Sequence, residues 1–141
     1  MRCVFNDGGR KDAGYKGEAR DCVVRAIAIV TGKAYQEVYN TINVLGKDER
    51  ITKRNKPRST ARMGVYRKTY DKYLKKLGWK WTPTMFIGQG CKVHMREEEL
   101  PKGNIIVRVT KHLAAIIDGV LHDVNDCSRK GTRCVYGYYS K

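Results

Sequence analysis

At 141 residues the chain can bury one modest hydrophobic core and not two, so a single domain spanning 1–141 is expected. Lys and Arg total 29 against 14 Asp and Glu, and the formal charge of +15 favours an acidic counterpart such as nucleic acid, an acidic protein face or an anionic surface. No stretch approaches the roughly 18 consecutive apolar residues of a membrane span, and the opening MRCVFNDGG has no apolar signal-peptide core, so the expectation is a cytoplasmic protein without membrane contact.

In chain order, RCVF reads as a short strand, and residues 6–20, rich in glycine and charge, read as loop. Asp21 is placed to cap a helix in which Val23, Ala26, Ile27 and Val30 recur at helical spacing, with Gly32 closing it. Tyr35, Val38, Tyr39, Ile42 and Leu45 predict a second helix ending at Gly46. A basic excursion follows at about 47–64, then a third helix with Tyr66, Tyr70, Tyr73, Leu74 and Leu77 on one face, stopping at Gly78. Beyond it the period changes to two. WKWTPTM, NIIVRVT, HLAAII, VLHDV and CVYGYY are short, β-branched or aromatic, and bounded by turn residues, which predicts strands. Helices first and strands later predict an α+β domain, N-terminal helices packed on a C-terminal antiparallel sheet.

Asp118-Gly119 is the strongest hairpin signal, because a type I′ turn needs positive φ at both central residues. With these as the loop, Ile117 pairs with Val120, Ala114 with Asp123, and His112 with Asn125. Paired residues share a face, so His112, Ala114, Asp123 and Asn125 fall together and His122 points away. An imidazole beside a carboxylate or amide is held in one tautomer and stabilised when protonated. A thiol in the first turn of a helix meets the positive end of the helix dipole and unpaired N–H groups, which favour the thiolate. These separate signals suggest one site: Cys22 as nucleophile, His112 as base and then acid, and Asp123 or Asn125 as its orienter, Asp123 being preferred for its charge.

Cysteine first, histidine later, then an acid or amide is an order that resembles the papain-like cysteine hydrolases. DCVVRAIA, with Cys22, Arg25, Ala26, Ile27 and Ala28, resembles the motif of ovarian-tumour-type deubiquitinases, and LPKGNIIVRVTKHLAAIIDGVLHDVND is similar to the histidine-strand, hairpin and aspartate segment of C39-like peptidases. The two segments cover under a third of the chain. The resemblance implies a papain-like fold, in which the cysteine opens a helix packed on an antiparallel sheet, and a protein or peptide substrate cleaved at an amide or isopeptide bond. Papain-like enzymes usually complete their oxyanion hole with a Gln before the cysteine. No Gln precedes Cys22, so Asn6, Lys16 or the glycine-rich loop backbone is the expected substitute.

The five cysteines are an odd set, too sparse for a secreted disulfide scaffold, and reduced thiols are expected; a Cys127–Cys134 bridge is the pairing an oxidising compartment would permit. Cys91, His94, Cys127 and Cys134 lack zinc-knuckle spacing, and no phosphate-loop pattern occurs, so neither metal nor cofactor is expected. Between Arg50 and Lys76 stand eleven basic residues against Asp71 alone, a local balance of +10. Lys53, Arg54, Lys56, Arg58 and Arg62 are the candidate partner-binding residues, suited to a polyanion. Two functions are therefore expected as alternatives: a small Cys-His-Asp hydrolase, or a basic module with a degenerate cysteine site that binds nucleic acid or an acidic protein.

Overall fold

The computed structural model describes residues 1–54 and 56–141. Strand β1 (Cys3–Phe5) is followed by helices α1 (Cys22–Thr31), α2 (Tyr35–Lys47) and α3 (Arg67–Lys76), then strands β2 (Lys80–Pro83), β3 (Asn104–Val109), β4 (His112–Ile117), β5 (Val120–Asp123) and β6 (Gly137–Ser140). The strands form one six-stranded sheet in the order β1-β5-β4-β3-β6-β2. All pairs are antiparallel except β1 with β5, which is parallel. The fold is therefore α+β with a mixed sheet. It departs from the expected helices-then-antiparallel-strands order because the N-terminal strand returns to the sheet edge beside β5, a pairing that no local signal encodes.

Alternation along β3 and β4 separates two cores. Ile106, Leu113, Ala115 and Tyr139 pack under the helices with Val24, Ile27, Val38, Ile42 and Leu74. Ile105, Val107, Ala114, Ile116 and Leu121 face the other way and are covered by Met95, Leu100 and Val135. The β4–β5 turn is as expected: Asp118 and Gly119 have φ of 48° and 80°, and Ile117 pairs with Val120.

α1 closes at Gly32, whose φ of 74° is left-handed. The expected stop at Gly46 is corrected: that residue lies inside α2, which runs to Lys47. A Cβ at Gly46 would sit 2.0 Å from the Ser59 carbonyl oxygen, so the glycine admits the crossing backbone instead of ending the helix. The basic excursion is tied at its base. The Glu49 carboxylate accepts from the Ser59 amide at 2.5 Å, from the Ser59 hydroxyl and from the Thr69 hydroxyl. Lys53, Arg54, Lys56 and Arg58 lie exposed beyond that anchor.

The expectation of five reduced thiols is also corrected. Cys91 and Cys134 form a disulfide with their Cα atoms 5.9 Å apart, and Cys127 is free. Cys91 rather than Cys127 meets Cys134 because backbone pairing brings the two segments together, Val135 N–H donating to the Val93 carbonyl at 2.8 Å. Among the described residues no helix is long and apolar enough to cross a membrane.

Candidate active site

Cys22 is the first residue of α1, and the residue before it explains how the helix start is held. Asp21 occupies the N-cap position but makes no capping hydrogen bond with its side chain. Its buried carboxylate instead pairs with Arg25 one turn on, accepts from the Tyr35 hydroxyl at 2.6 Å and lies 3.4 Å from Arg10 Nε. The first-turn N–H groups of an α-helix have no intrahelical acceptor, so this arrangement leaves the electropositive helix end beside the thiol uncovered by the aspartate.

His112 opens β4 and Asp123 closes β5, and because these strands are antiparallel both residues lie at the same end of the sheet. His112 Nε2 is 2.7 Å from Asp123 Oδ2. The other carboxylate oxygen of Asp123 accepts from the Val124 amide at 2.7 Å and lies 3.4 Å from the Arg25 guanidinium. Arg25 thus ties the acid behind the histidine to the acid behind the cysteine. By alternation His112 belongs with Ala114 on the face away from the helices, and it meets α1 because it stands at the sheet's end, where it lines one cleft with Cys22.

The electrostatics of the three groups agree. Burial opposes ionisation of the Cys22 thiol, but the His112 hydrogen bond and charge, the Leu113 backbone and the Arg25 guanidinium outweigh it and hold the thiol below its ordinary value. Burial likewise opposes imidazolium at His112, and the hydrogen bonds with Asp123, Cys127 and Cys22 overcome it, pushing His112 up to about 11. Asp123 is held below the usual carboxylate range: His112, the Val124 amide and Arg25 together exceed the effect of burial. The cluster favours a thiolate–imidazolium pair, the reactive state of a cysteine nucleophile.

Other expected site residues take different places. Asn125 is exposed beyond the end of β5, in a bend, and forms no ladder pair with His112, though it lines a cleft with His112, Asp123 and Arg25. The Asn6 side chain contacts His122 Nδ1 at 3.2 Å and accepts from the Gly8 amide, so it does not serve Cys22. Lys16 is exposed, and its carbonyl accepts from Arg62 at 3.0 Å. Arg62 is correspondingly a clasp and not part of the exposed basic run: its guanidinium also donates to the Glu18 carbonyl, and its own carbonyl accepts from the Arg20 amide at 2.7 Å, fixing the loop that leads into α1. The four weighed zinc ligands do not converge, since Cys91 and Cys134 are bonded to each other and His94 Nδ1 meets Glu99 at 3.1 Å. A different set does: ligand atoms of His112, Asp123 and Cys127 lie within 4.8 Å of one another and could hold a metal ion.

A cleft of about 850 Å³ opens beside Cys22 and His112, lined also by Ala19 and Arg20 of the entering loop and by Arg67, Tyr70, Arg108 and Tyr136. The NDGG stretch of the glycine-rich loop packs on α1, where a Cβ on Gly8 would stand 3.2 Å from the Arg25 backbone. Sequence reading overlooked the linking role of Arg25, though its position four residues after Asp21 on a helix was a readable signal for that pair. Cys127, Arg67 and Arg108 reach the site only through the tertiary fold.

Fold and site together define an α+β protein with a thiol, an imidazole and a carboxylate gathered at a cleft. No protein-family model matches the chain, and comparisons with curated proteins and with solved structures find no match.

Proposed function

We propose that the protein is a small cysteine hydrolase of papain-like type, cleaving an amide, peptide or isopeptide bond with Cys22 as nucleophile, His112 as acid and base, and Asp123 as orienter. The observation that carries this reading is the Cys22–His112–Asp123 cluster, with the imidazole 2.7 Å from the carboxylate and the thiol at the start of α1. In this mechanism the Cys22 thiolate attacks the carbonyl carbon, forming a C–S bond while the carbonyl electron pair moves to oxygen. N–H groups of the first turn of α1 receive that oxyanion. Collapse breaks the C–N bond, and the leaving nitrogen takes the proton from His112, leaving a thioester. Neutral His112 then accepts a proton from water as the water oxygen attacks. Breaking the C–S bond releases the acid and restores thiolate and imidazolium.

An activity-based electrophile with a peptide recognition element tests this. The expected result is labelling at Cys22, lost in Cys22→Ala and reduced at least about a hundredfold in His112→Ala, with both variants folded. Labelling that persists in Cys22→Ala ends the hydrolase reading. A second reading, polyanion binding, is favoured by the exposure of Lys53, Arg54, Lys56 and Arg58 on one anchored excursion. The two activities occupy different surfaces and can coexist.

A further inference from the structure

We propose that the cleft beside Cys22 selects peptides with carboxylate side chains next to the scissile bond and a large apolar residue beyond them; the assignment of a scissile bond rests on the hydrolase reading. The cleft carries Arg20, Arg25, Arg67, Arg108 and Lys111, against Asp21 as its acid. Asp21 is already neutralised by Arg25 and Arg10. Among the described residues Arg20, Arg67, Arg108 and Lys111 take part in no ion pair; Arg67 acts at longer range on Asp71, and the cleft itself offers these four cations no acid beyond the neutralised Asp21. Arg67 and Arg108 line the same cleft as Cys22, with Tyr70 among the residues of its wall.

The same two arginines and Tyr136 also line a second groove of about 380 Å³, whose other wall is Met85, Phe86 and Ile87. Phe86 is 47% exposed and Ile87 fully so, large apolar side chains that a solvent-facing loop has no packing reason to carry. Thr84 ties the start of this loop to β6's approach, its amide donating to the Tyr136 carbonyl at 3.0 Å, and the Cys91–Cys134 disulfide ties its end. From Cys22 outward the surface therefore runs thiol, paired guanidiniums, then an apolar wall. Carboxylates suit the guanidiniums through charge-assisted bidentate hydrogen bonds.

A nucleic-acid strand fits this groove less well. Arg67 lies over the Trp81 ring at 5.0 Å and Arg108 over the Tyr136 ring at 5.5 Å, so the aromatic faces on which bases would stack are covered.

Binding of fluorescein-labelled peptides to Cys22→Ala, measured by anisotropy at about 0.15 M salt, tests the inference without requiring turnover. The probes are a Glu-Glu/Leu peptide in both sequence directions, its Gln-Gln and Ser isosteres, and an oligothymidylate of equal length. In at least one direction the acidic–apolar peptide is expected to bind about tenfold more tightly than the Gln-Gln isostere. Arg67→Ala and Arg108→Ala should each erase most of that ratio, Arg67→Lys should restore part of it, and Phe86→Ala with Ile87→Ala should erase the preference for Leu over Ser. Equal affinity for Glu and Gln peptides, or tighter binding of the oligothymidylate that depends on the same arginines, overturns the proposal. Turnover by the unaltered chain separates the two claims: Cys22-dependent cleavage of Glu and Gln peptides at equal rates removes the selectivity and keeps the hydrolase. Selective binding with no cleavage of any probe keeps the groove and removes the hydrolase.

Discussion

At the scale of single residues, the site depends on where strand β5 stops. Asp123 contacts His112 and is also hydrogen-bonded to its own neighbour, the Val124 amide. Such short side-chain-to-backbone bonds compete with ladder pairing. The strand ends there, which leaves Asn125 outside the sheet. Alternation of period two located His112 and Asp123 correctly on one face, and the same rule carried one pair too far placed Asn125 beside them. Asp123→Ala is expected to lower Cys22-dependent turnover by about a hundredfold or more, since the imidazole loses both its tautomer control and its counter-charge, whereas Asn125→Ala should change it less than about threefold. Steady-state kinetics on the two variants with one peptide substrate checks this. Arg25 was visible in sequence only as a helix partner for Asp21. Its bond to Asp123 joins residues far apart in the chain and follows from α1 lying across the end of the sheet.

At the scale of elements, helices and strands were legible wherever an apolar stripe repeats, and the errors cluster at glycine and at non-local pairings. Gly46 read as a helix stop because a glycine in a helix interior costs about 1 kcal/mol relative to alanine. Here that cost is accepted because the segment carrying Ser59 crosses α2 at backbone contact. Gly46→Ala should therefore destabilise the fold by about 1–3 kcal/mol despite the better helix propensity, through the overpacked contact with the Ser59 carbonyl. Urea denaturation would show a lower midpoint at unchanged slope. Neither the parallel β1–β5 pair nor the Cys91–Cys134 bond carries a local signature, since each depends on how distant segments are laid side by side.

At the scale of the whole molecule, the charge is divided between two surfaces. The excursion holds Lys53, Arg54, Lys56 and Arg58 beyond the Glu49 anchor, while the cleft keeps Arg67 and Arg108 beside the thiol. A local count of basic residues merged these groups and added Arg62, whose side chain is spent holding the loop before α1. Replacing the four excursion residues with alanine should weaken heparin retention and flatten its salt dependence, because each lost phosphate-like contact removes a released counterion, and should leave Cys22 labelling unchanged. Heparin chromatography over a salt gradient, paired with the labelling assay, reads both effects.

If His112 and the end of α1 hold Cys22 as a thiolate, the pH dependence of its alkylation must show it. The rate of iodoacetamide addition at Cys22, resolved from the other thiols by peptide mass spectrometry, reports the thiolate fraction. The lowered Cys22 value and the raised His112 value have a defined consequence: the ion pair persists as pH falls below the ordinary thiol range and breaks only when the thiolate is protonated. The midpoint of the rate profile at Cys22 should therefore lie below the value of about 8.5 typical of a free cysteine, and His112→Ala should raise it toward that value. A Cys22 titration at or above about 8.5 that His112→Ala does not move would mean that His112 does not stabilise the thiolate.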